Sequence, residues 1–460
     1  MSRRPPVAGR AAPGLRRTPP LWPVALAIGV RLIAWALIPV TRFASDEESY
    51  FQVSTALLHH GRQDLFWPPM TGWLLAALRY LFGTDSLATL RLAWIAIDVG
   101  CVFAVRTLAG RVGDTLWPAD AARALRLTTL ATVGYALYLP AISHAQFVTS
   151  ETPALLQVLC LLVLLTRPDA GIGSYVVGGM LAGTLALTRP SLLPLVALVP
   201  IAAAIGRGWT AITHAAVFVG IAASLVGADI YRNWRVAGEA TIATNSAYNF
   251  YIGNRDLYAE DLNLFDPRAT PAQIEFRRQQ WSGELVYPSE TPAELQRLAW
   301  VWIQEHPGTF LRRALGRLAR VFVPKTDVLE LLGGERTAGI FAPASLVLLA
   351  VANVQWALVL FGGIIGLAWL LRHERRPGLI FISVVVGSLL LCLVAISKPR
   401  YSFVFDPLLL IGAVLAAQAP RRAIADFGRG ECWAMGGMFA FIAWGWIAFA
   451  IFAITSRVVL

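Results

Sequence analysis

Lysine is nearly missing from this 460-residue chain: of 39 basic residues, only Lys325 and Lys398 are not arginine. Charge of any kind is scarce at 15%, against about 25% in an ordinary soluble domain. That shortage excludes a water-soluble enzyme and a disordered chain. It also excludes a nucleic-acid binder, despite the net charge of +11. The four cysteines form no CxxC pair, so neither a disulfide framework nor a zinc site follows. His59-His60 and His144 lack metal spacing and read as structural. The chain has no P-loop, no dinucleotide-type glycine pattern and no GxSxG elbow, which argues against ATP-driven coupling and soluble nucleotide chemistry.

What the chain has is apolar length, with 57% hydrophobic residues and a mean hydropathy of +0.60. Runs near the roughly 20 residues needed to cross a bilayer give about eleven candidate spans. They lie at 21–40, 87–108, 124–142, 151–166, 172–188, 190–206, 210–230, 340–371, 378–396, 401–418 and 433–455. The first is too long for a signal-peptide core and reads as an uncleaved span behind a basic cytoplasmic tail, residues 1–20. With that tail inside, every inside connection is basic: Arg106, Arg111, Arg123 and Arg126; then Arg167; then Arg207; then Arg372, Arg375 and Arg376; then Arg421, Arg422 and Arg429.

The expected architecture is an all-α, polytopic integral membrane protein with two outer loop regions. Residues 21–230 form an N-terminal transmembrane module whose outer loop is 41–86. Residues 231–339 form an outer lobe, and 340–460 a C-terminal transmembrane module. In the first loop, Ser45-Asp-Glu-Glu48 has the form of a helix-starting capping box, and a second amphipathic helix opens at Trp67-Pro68-Pro69. The lobe ends in a helix over 310–322. Phe310, Ala314, Leu318 and Val321 mark one face, and Arg313, Arg317 and Arg320 the other, expected to meet anionic headgroups. Arginine-heavy usage suggests a GC-rich bacterial genome; the expected location is the bacterial inner membrane, with the N-terminus cytoplasmic.

Asp46, Glu47 and Glu48 directly follow the first span on the outer side. A carboxylate held there is placed to take a proton from an acceptor hydroxyl, although acids also simply favour a helix's first turn. Glu151, before Pro153, has the same two readings. Arg189, Arg232, Lys398 and Arg400 sit at the outer boundary, where guanidinium and ammonium groups either hold a departing lipid phosphate or snorkel to headgroups. Arg31 and Asp98 are intramembrane charges, functional suspects or a buried pair. Asp46-Glu47 could position a divalent cation, but no second ligand set is visible, so no metal is expected.

An ordered series of short motifs resembles the GT-C superfamily of membrane glycosyltransferases, nearest the protein O-mannosyltransferase and aminoarabinose-transferase branch. Asp46-Glu47-Glu48-Ser49-Tyr50 is similar to its D-E-x-x-Y. Trp67-Pro68-Pro69-Met70 is similar to its Pro-Pro-Leu element, Ser150-Glu151 to its second acidic site, and Leu187-Thr188-Arg189-Pro190 to L-T-[KR]-P. Arg232-Asn233, Tyr248-Asn249-Phe250, His306-Pro307-Gly308 and Pro399-Arg400-Tyr401 with Pro407 continue the series. The resemblance implies a sugar donor on polyprenyl phosphate, transfer with inversion at the periplasmic face, and a glycan, lipid or protein acceptor. It implies Asp46 as general base, Glu47 beside it and Glu151 in support. Arg189 and Arg400 would hold the lipid phosphate, with Tyr50, Pro69, Arg232, Asn249, Lys398 and Tyr401 also at the substrate. Phe66-Trp67 stands where the aminoarabinose branch has Glu-Lys, which argues against that sugar. The competing readings are a lipid flippase or transporter, which would favour repeated, interrupted spans with midplane charges, and an envelope glycan polymerase.

Overall fold

The computed structural model of the chain describes residues 19–38, 43, 46–61, 65–282, 290–332, 343–418 and 425–456, all helix, turn or loop with no strand among them. Ser45, Arg421, Arg422 and the arginines of the basic tail lie outside these residues. The helices are α1 Trp22–Leu37, α2 Glu47–His60, α3 Pro69–Phe82, α4 Leu87–Leu116, α5 Ala121–Ala136 and α6 Leu139–Ala145. Next come α7 Glu151–Leu165, α8 Ile172–Thr188, α9 Leu195–Ala204 and α10 Trp209–Ala237. The lobe contains α11 Asn245–Gly253, α12 Pro271–Ser282, α13 Pro292–Glu305 and α14 Pro307–Val321. The chain then runs through α15 Pro343–His373, α16 Arg375–Leu390, α17 Asp406–Gln418 and α18 Arg429–Thr455.

Each of the eleven expected spans carries a helix. Five are long and apolar enough to cross a bilayer: α4, α10, α15, α16 continued to Leu393, and α18. A sixth is the pair α5 and α6, bent by 56°. The remaining five segments hold shorter apolar helices. The chain is therefore a multi-pass membrane protein of all-α fold.

The bend has a local cause. Pro140 falls in the first turn of α6, so the helix cannot run through from α5. Groups freed by the break are met by one side chain of α15: Gln355 Nε2 donates to the Leu137 carbonyl at 2.9 Å, and the Leu139 amide donates to Gln355 Oε1 at 2.8 Å. Broken helices persist at membrane depth only when such partners exist. The turn sends α6 aside and delivers residues 146–150 to the start of α7.

Glycine sets how closely spans approach. Gly363 and Gly366 of α15 lie against the backbone of Leu409 and Gly412 of α17, leaving no room for a β-carbon. Gly178, Gly179 and Gly183 of α8 seat Phe218, Ala222 and Leu225 of α10 in the same way. Small residues are the usual means of close helix contact where lipid removes the hydrophobic driving force.

Arg31 and Asp98 form a buried ion pair between α1 and α4. Tyr135 Oη donates to Asp98 Oδ1 at 2.7 Å, and Arg31 Nη1 donates to the Ala136 carbonyl at 3.0 Å. The two intramembrane charges of the sequence are thus paired with each other. At the far end of α7 from Glu151, Arg111 donates to the Val163 carbonyl and Arg376 to the Leu165 carbonyl. Arg123 donates to the last carbonyl of α17, at Gln418. These three basic residues thus lie away from the end of the bundle that carries Glu151.

Helix α2 begins at Glu47 with Asp46 as its N-cap residue, whose side chain makes no cap hydrogen bond, and Glu48 accepts from Gln52. The expected capping box involves Ser45, which lies outside the described residues. One expectation is corrected. The basic face of α14 meets no headgroups: Arg313, Arg317 and Arg320 are buried, and Leu311 and Leu315 are exposed at 64% and 44%. Arg313 pairs with Asp261 at 3.1 Å, Arg317 bonds Asn254 Oδ1 and the Leu393 carbonyl, and Arg320 pairs with Glu260. An amphipathic helix under a polar lobe turns its charges towards the lobe and its leucines away from it. A carboxy-terminal stretch of α18, Ala448, Phe449 and Phe452, packs into this lobe against Leu262, Leu264, Ala319 and Val323.

The glycine packing yields an expected outcome. Gly366→Ala should destabilise the detergent-solubilised protein by about 1–3 kcal/mol in thermal unfolding, through overpacking against Gly412. Gly220→Ala, where a β-carbon meets open space, should lose nothing.

Candidate active site

Four charged side chains from four separate segments meet at the start of α7. Asp46 precedes α2, Glu151 is the first residue of α7, Arg189 follows α8, and Arg400 lies in the 3-10 turn Pro399–Val404. Arg189 leaves its helix because Pro190 disfavours α geometry in the residue before it, and Arg189 is extended with φ −142°. Arg400 Nη2 donates to Asp46 Oδ2 at 2.7 Å, and its Nε lies 3.3 Å from Glu151 Oε1. Arg189 Nη1 lies 2.7 Å from the same Glu151 oxygen and donates to Ser150 Oγ at 3.2 Å. Its guanidinium stands 5.4 Å from the Tyr401 ring centroid.

Exposure grades the two acids. The Glu151 side chain is 3% exposed and Asp46 28% exposed, with Arg400 between them at 18%. Asp46 is therefore the carboxylate a solute can reach, and Glu151 is the buried anchor for both guanidiniums. A buried carboxylate is tolerable because it is doubly paired.

Glu47, next to Asp46, turns the other way. It is fully buried, accepting from Arg91 Nε at 3.0 Å and Nη2 at 2.6 Å, and from the Val148 amide at 2.8 Å. It thereby ties α2 to α4 and to the turn leading to Glu151. Adjacent residues at a helix start point about 100° apart, so two like acids take unlike tasks.

Tyr50 lies one turn beyond Asp46, buried, 5.3 Å from the Trp67 ring, and hydrogen-bonded to Ser150. Burial, and then the charges of Asp46 and Glu151, push its hydroxyl above the ordinary tyrosine range, so it stays protonated. Lys398 makes no ion pair among the described residues. The neighbouring Arg400 charge, and then burial, pull its ammonium down from the ordinary lysine value. The four-charge group itself balances, two acids against two guanidiniums, and Lys398 beside Arg400 adds a further cation next to it.

The other expected residues stand further out. Pro69 is buried at the start of α3. Arg232 is held within its own helix by Asp229 at 2.5 Å and lies over the Trp73 ring. Asn249 is half-buried on α11, a helix tied back to the first loop by bonds from the Thr244 and Asn245 amides to the Leu65 and Phe66 carbonyls. Among the described residues, no hydrogen bond or ion pair joins Pro69, Arg232 or Asn249 to the four-charge group, and no cluster of three metal-ligating side chains occurs.

Sequence reasoning missed two buried pairs beside the group. His144 Nε2 lies 2.9 Å from Asp327 Oδ2, and Lys325 Nζ lies 3.0 Å from Asp406 Oδ2. Lys325 carried one available signal, being one of two lysines in an arginine-rich chain.

Neither a family model nor a curated protein matches the chain. Solved structures do. The apo oligosaccharyltransferase of Archaeoglobus fulgidus is 12% identical, with a TM-score of 0.46 over 94% of this chain and 56% of that one. The same archaeal enzyme with an inhibitory peptide and a dolichol-phosphate gives 13% and 0.42 over 93% and 55%. ArnT from Cupriavidus metallidurans bound to undecaprenyl phosphate gives 16% and 0.39 over 86% and 77%. The chain spans little more than half the length of the archaeal enzyme. At these scores and identities the likenesses transfer neither activity nor residue roles.

The two acids should separate in stability. Glu47→Gln leaves Arg91 buried without its counter-charge and should cost about 3–5 kcal/mol in thermal unfolding. Asp46→Asn, at a partly exposed position, should leave the unfolding midpoint nearly unchanged.

Proposed function

We propose that the chain is a glycosyltransferase that moves a sugar from a polyprenyl-phosphate donor to an acceptor hydroxyl or phosphate at the outer, periplasmic face of a bacterial inner membrane. The observation that carries this reading is Arg400 shared between a reachable carboxylate, Asp46, and a buried one, Glu151, with Arg189 on the same anchor. A base and a set of phosphate-holding cations stand side by side. The motif series from Asp46-Glu47-Glu48-Ser49-Tyr50 to Pro399-Arg400-Tyr401 supports the same reading, since its members at Asp46, Tyr50, Glu151, Arg189, Arg400 and Tyr401 fall in this one neighbourhood.

In this mechanism Asp46 takes the proton of the acceptor hydroxyl as its oxygen attacks the anomeric carbon. The bond from that carbon to the phosphate oxygen breaks, and the lipid phosphate leaves with the electron pair. Arg400, Arg189 and Lys398 stabilise the charge that develops there. Arg400 shifts from Asp46 towards the phosphate, which leaves the Asp46 lone pairs to the acceptor. One displacement inverts the anomeric centre. Glu151 positions both arginines, Glu47 positions α2, and Tyr50 and Ser150 fix the floor.

The basic connections at the opposite end of α7 support an outward site. The reading also suits the membrane: the prenyl chain stays in lipid while its phosphate lies at the interface. Arg31 and Asp98 pair with each other in the interior, as a structural pair would.

The test is release of free polyprenyl phosphate by the purified protein in lipid, offered a panel of polyprenyl-phosphate sugars and envelope acceptors. Asp46→Asn should lower kcat by about 10²–10⁴-fold. Release that survives the substitution would move the base elsewhere. Lipid scrambling without release would replace the transferase by a flippase.

A further inference from the structure

The segment Lys325–Asp327 lies outside the four-charge group yet touches both parts of the chain that build it. Asn353 of α15 pins its backbone, accepting from the Lys325 amide at 2.7 Å and donating to the Lys325 carbonyl at 3.3 Å. Lys325 then reaches one way. Its ammonium bonds Ser402 and Asp406, stands 4.2 Å from the Trp356 ring centroid, and shares Asp406 Oδ2 with the Tyr138 hydroxyl at 3.0 Å. Ser402 is two residues from Arg400 in the same 3-10 turn.

Asp327 reaches the other way, to His144 at 2.9 Å, with the His144 ring 4.2 Å from the Phe403 ring. The His144 carbonyl accepts from Thr152 Oγ1 at 3.0 Å, so α6 is tied directly to the first turn of α7, next to Glu151. One side chain of this segment therefore fixes the turn that carries Arg400, and the other fixes the approach to Glu151. Lys325 and Asp406 are both buried, where unpaired charge is costly and paired charge holds a single geometry.

We propose that Lys325 and Asp327 are positioning residues that set the spacing between Arg400 and Glu151. The inference rests on the transferase reading of that group. Neither residue touches substrate; each acts through the neighbour it holds.

The test uses the full-length protein in lipid nanodiscs and three variants: Asp327→Asn, its conservative partner Asp327→Glu, and the double variant K325M/D406N, which removes both buried charges together. Amide hydrogen exchange is read at residues 146–151 and 399–404, alongside kcat and donor KM. Asp327→Asn should speed exchange about tenfold at 146–151, and K325M/D406N should do so at 399–404, with the other helices unchanged. Each should lower kcat about tenfold to hundredfold, with donor KM within about threefold, and Asp327→Glu should restore most of it.

Unchanged exchange at both segments would overturn the clamp whatever happens to turnover. Faster exchange throughout the bundle, or faster local exchange with unaltered kcat, would overturn the positioning role. A parent protein that releases no lipid phosphate from any donor would count against the transferase reading alone, and the exchange comparison would still decide the clamp.

Discussion

A guanidinium shared by two carboxylates is the constraint around which this molecule is arranged. Arg400 joins Asp46, 354 residues away in sequence, and also meets Glu151. No single element supplies more than one member of the group, so its geometry depends on how four chain breaks are placed: the start of α2, the start of α7, the end of α8 and the turn before α17. Charges taken out of water must be paired, and these are paired with each other. That pairing leaves one acid reachable and one buried.

The breaks themselves follow from short-range chemistry. Pro140 stops α5 from continuing into α6, and Gln355 meets the peptide groups that the break exposes. Pro190 turns Arg189 out of its helix. Glu47 bonds Arg91 and the Val148 amide, which fixes the rotation of α2 and so the direction of Asp46. Glycine contacts between α15 and α17 and between α8 and α10 hold the surrounding spans at a close, fixed separation. The geometry of the four-charge group is thus set largely by residues outside the group.

Much of this was legible in the sequence. Apolar run length located a helix at each of eleven segments, because run length is a direct measure of what a bilayer demands. The side-of-membrane argument gathered Asp46, Glu151, Arg189 and Arg400, since positive connections mark one end and the acids fell at the other. What was not legible depends on directions that only packing sets. Asp46 and Glu47 are chemically alike neighbours, and which one meets Arg400 and which one Arg91 is decided by a step of about 100° at the helix start. The periodicity of α14 revealed two faces but not which of them would meet the lobe, and the arginines went inward. Gln355, Lys325 and Asp327 act across long sequence separations, where a single sequence carries no pairing signal.

The most direct test of a single displacement at Asp46 is the stereochemical outcome of turnover. A donor with its sugar on polyprenyl phosphate in one known anomeric configuration would be turned over by the purified protein, and the product's anomeric coupling read by NMR. The account requires the inverted configuration. Retention would contradict it, because one in-line displacement by the acceptor oxygen from the face opposite the phosphate cannot retain the configuration.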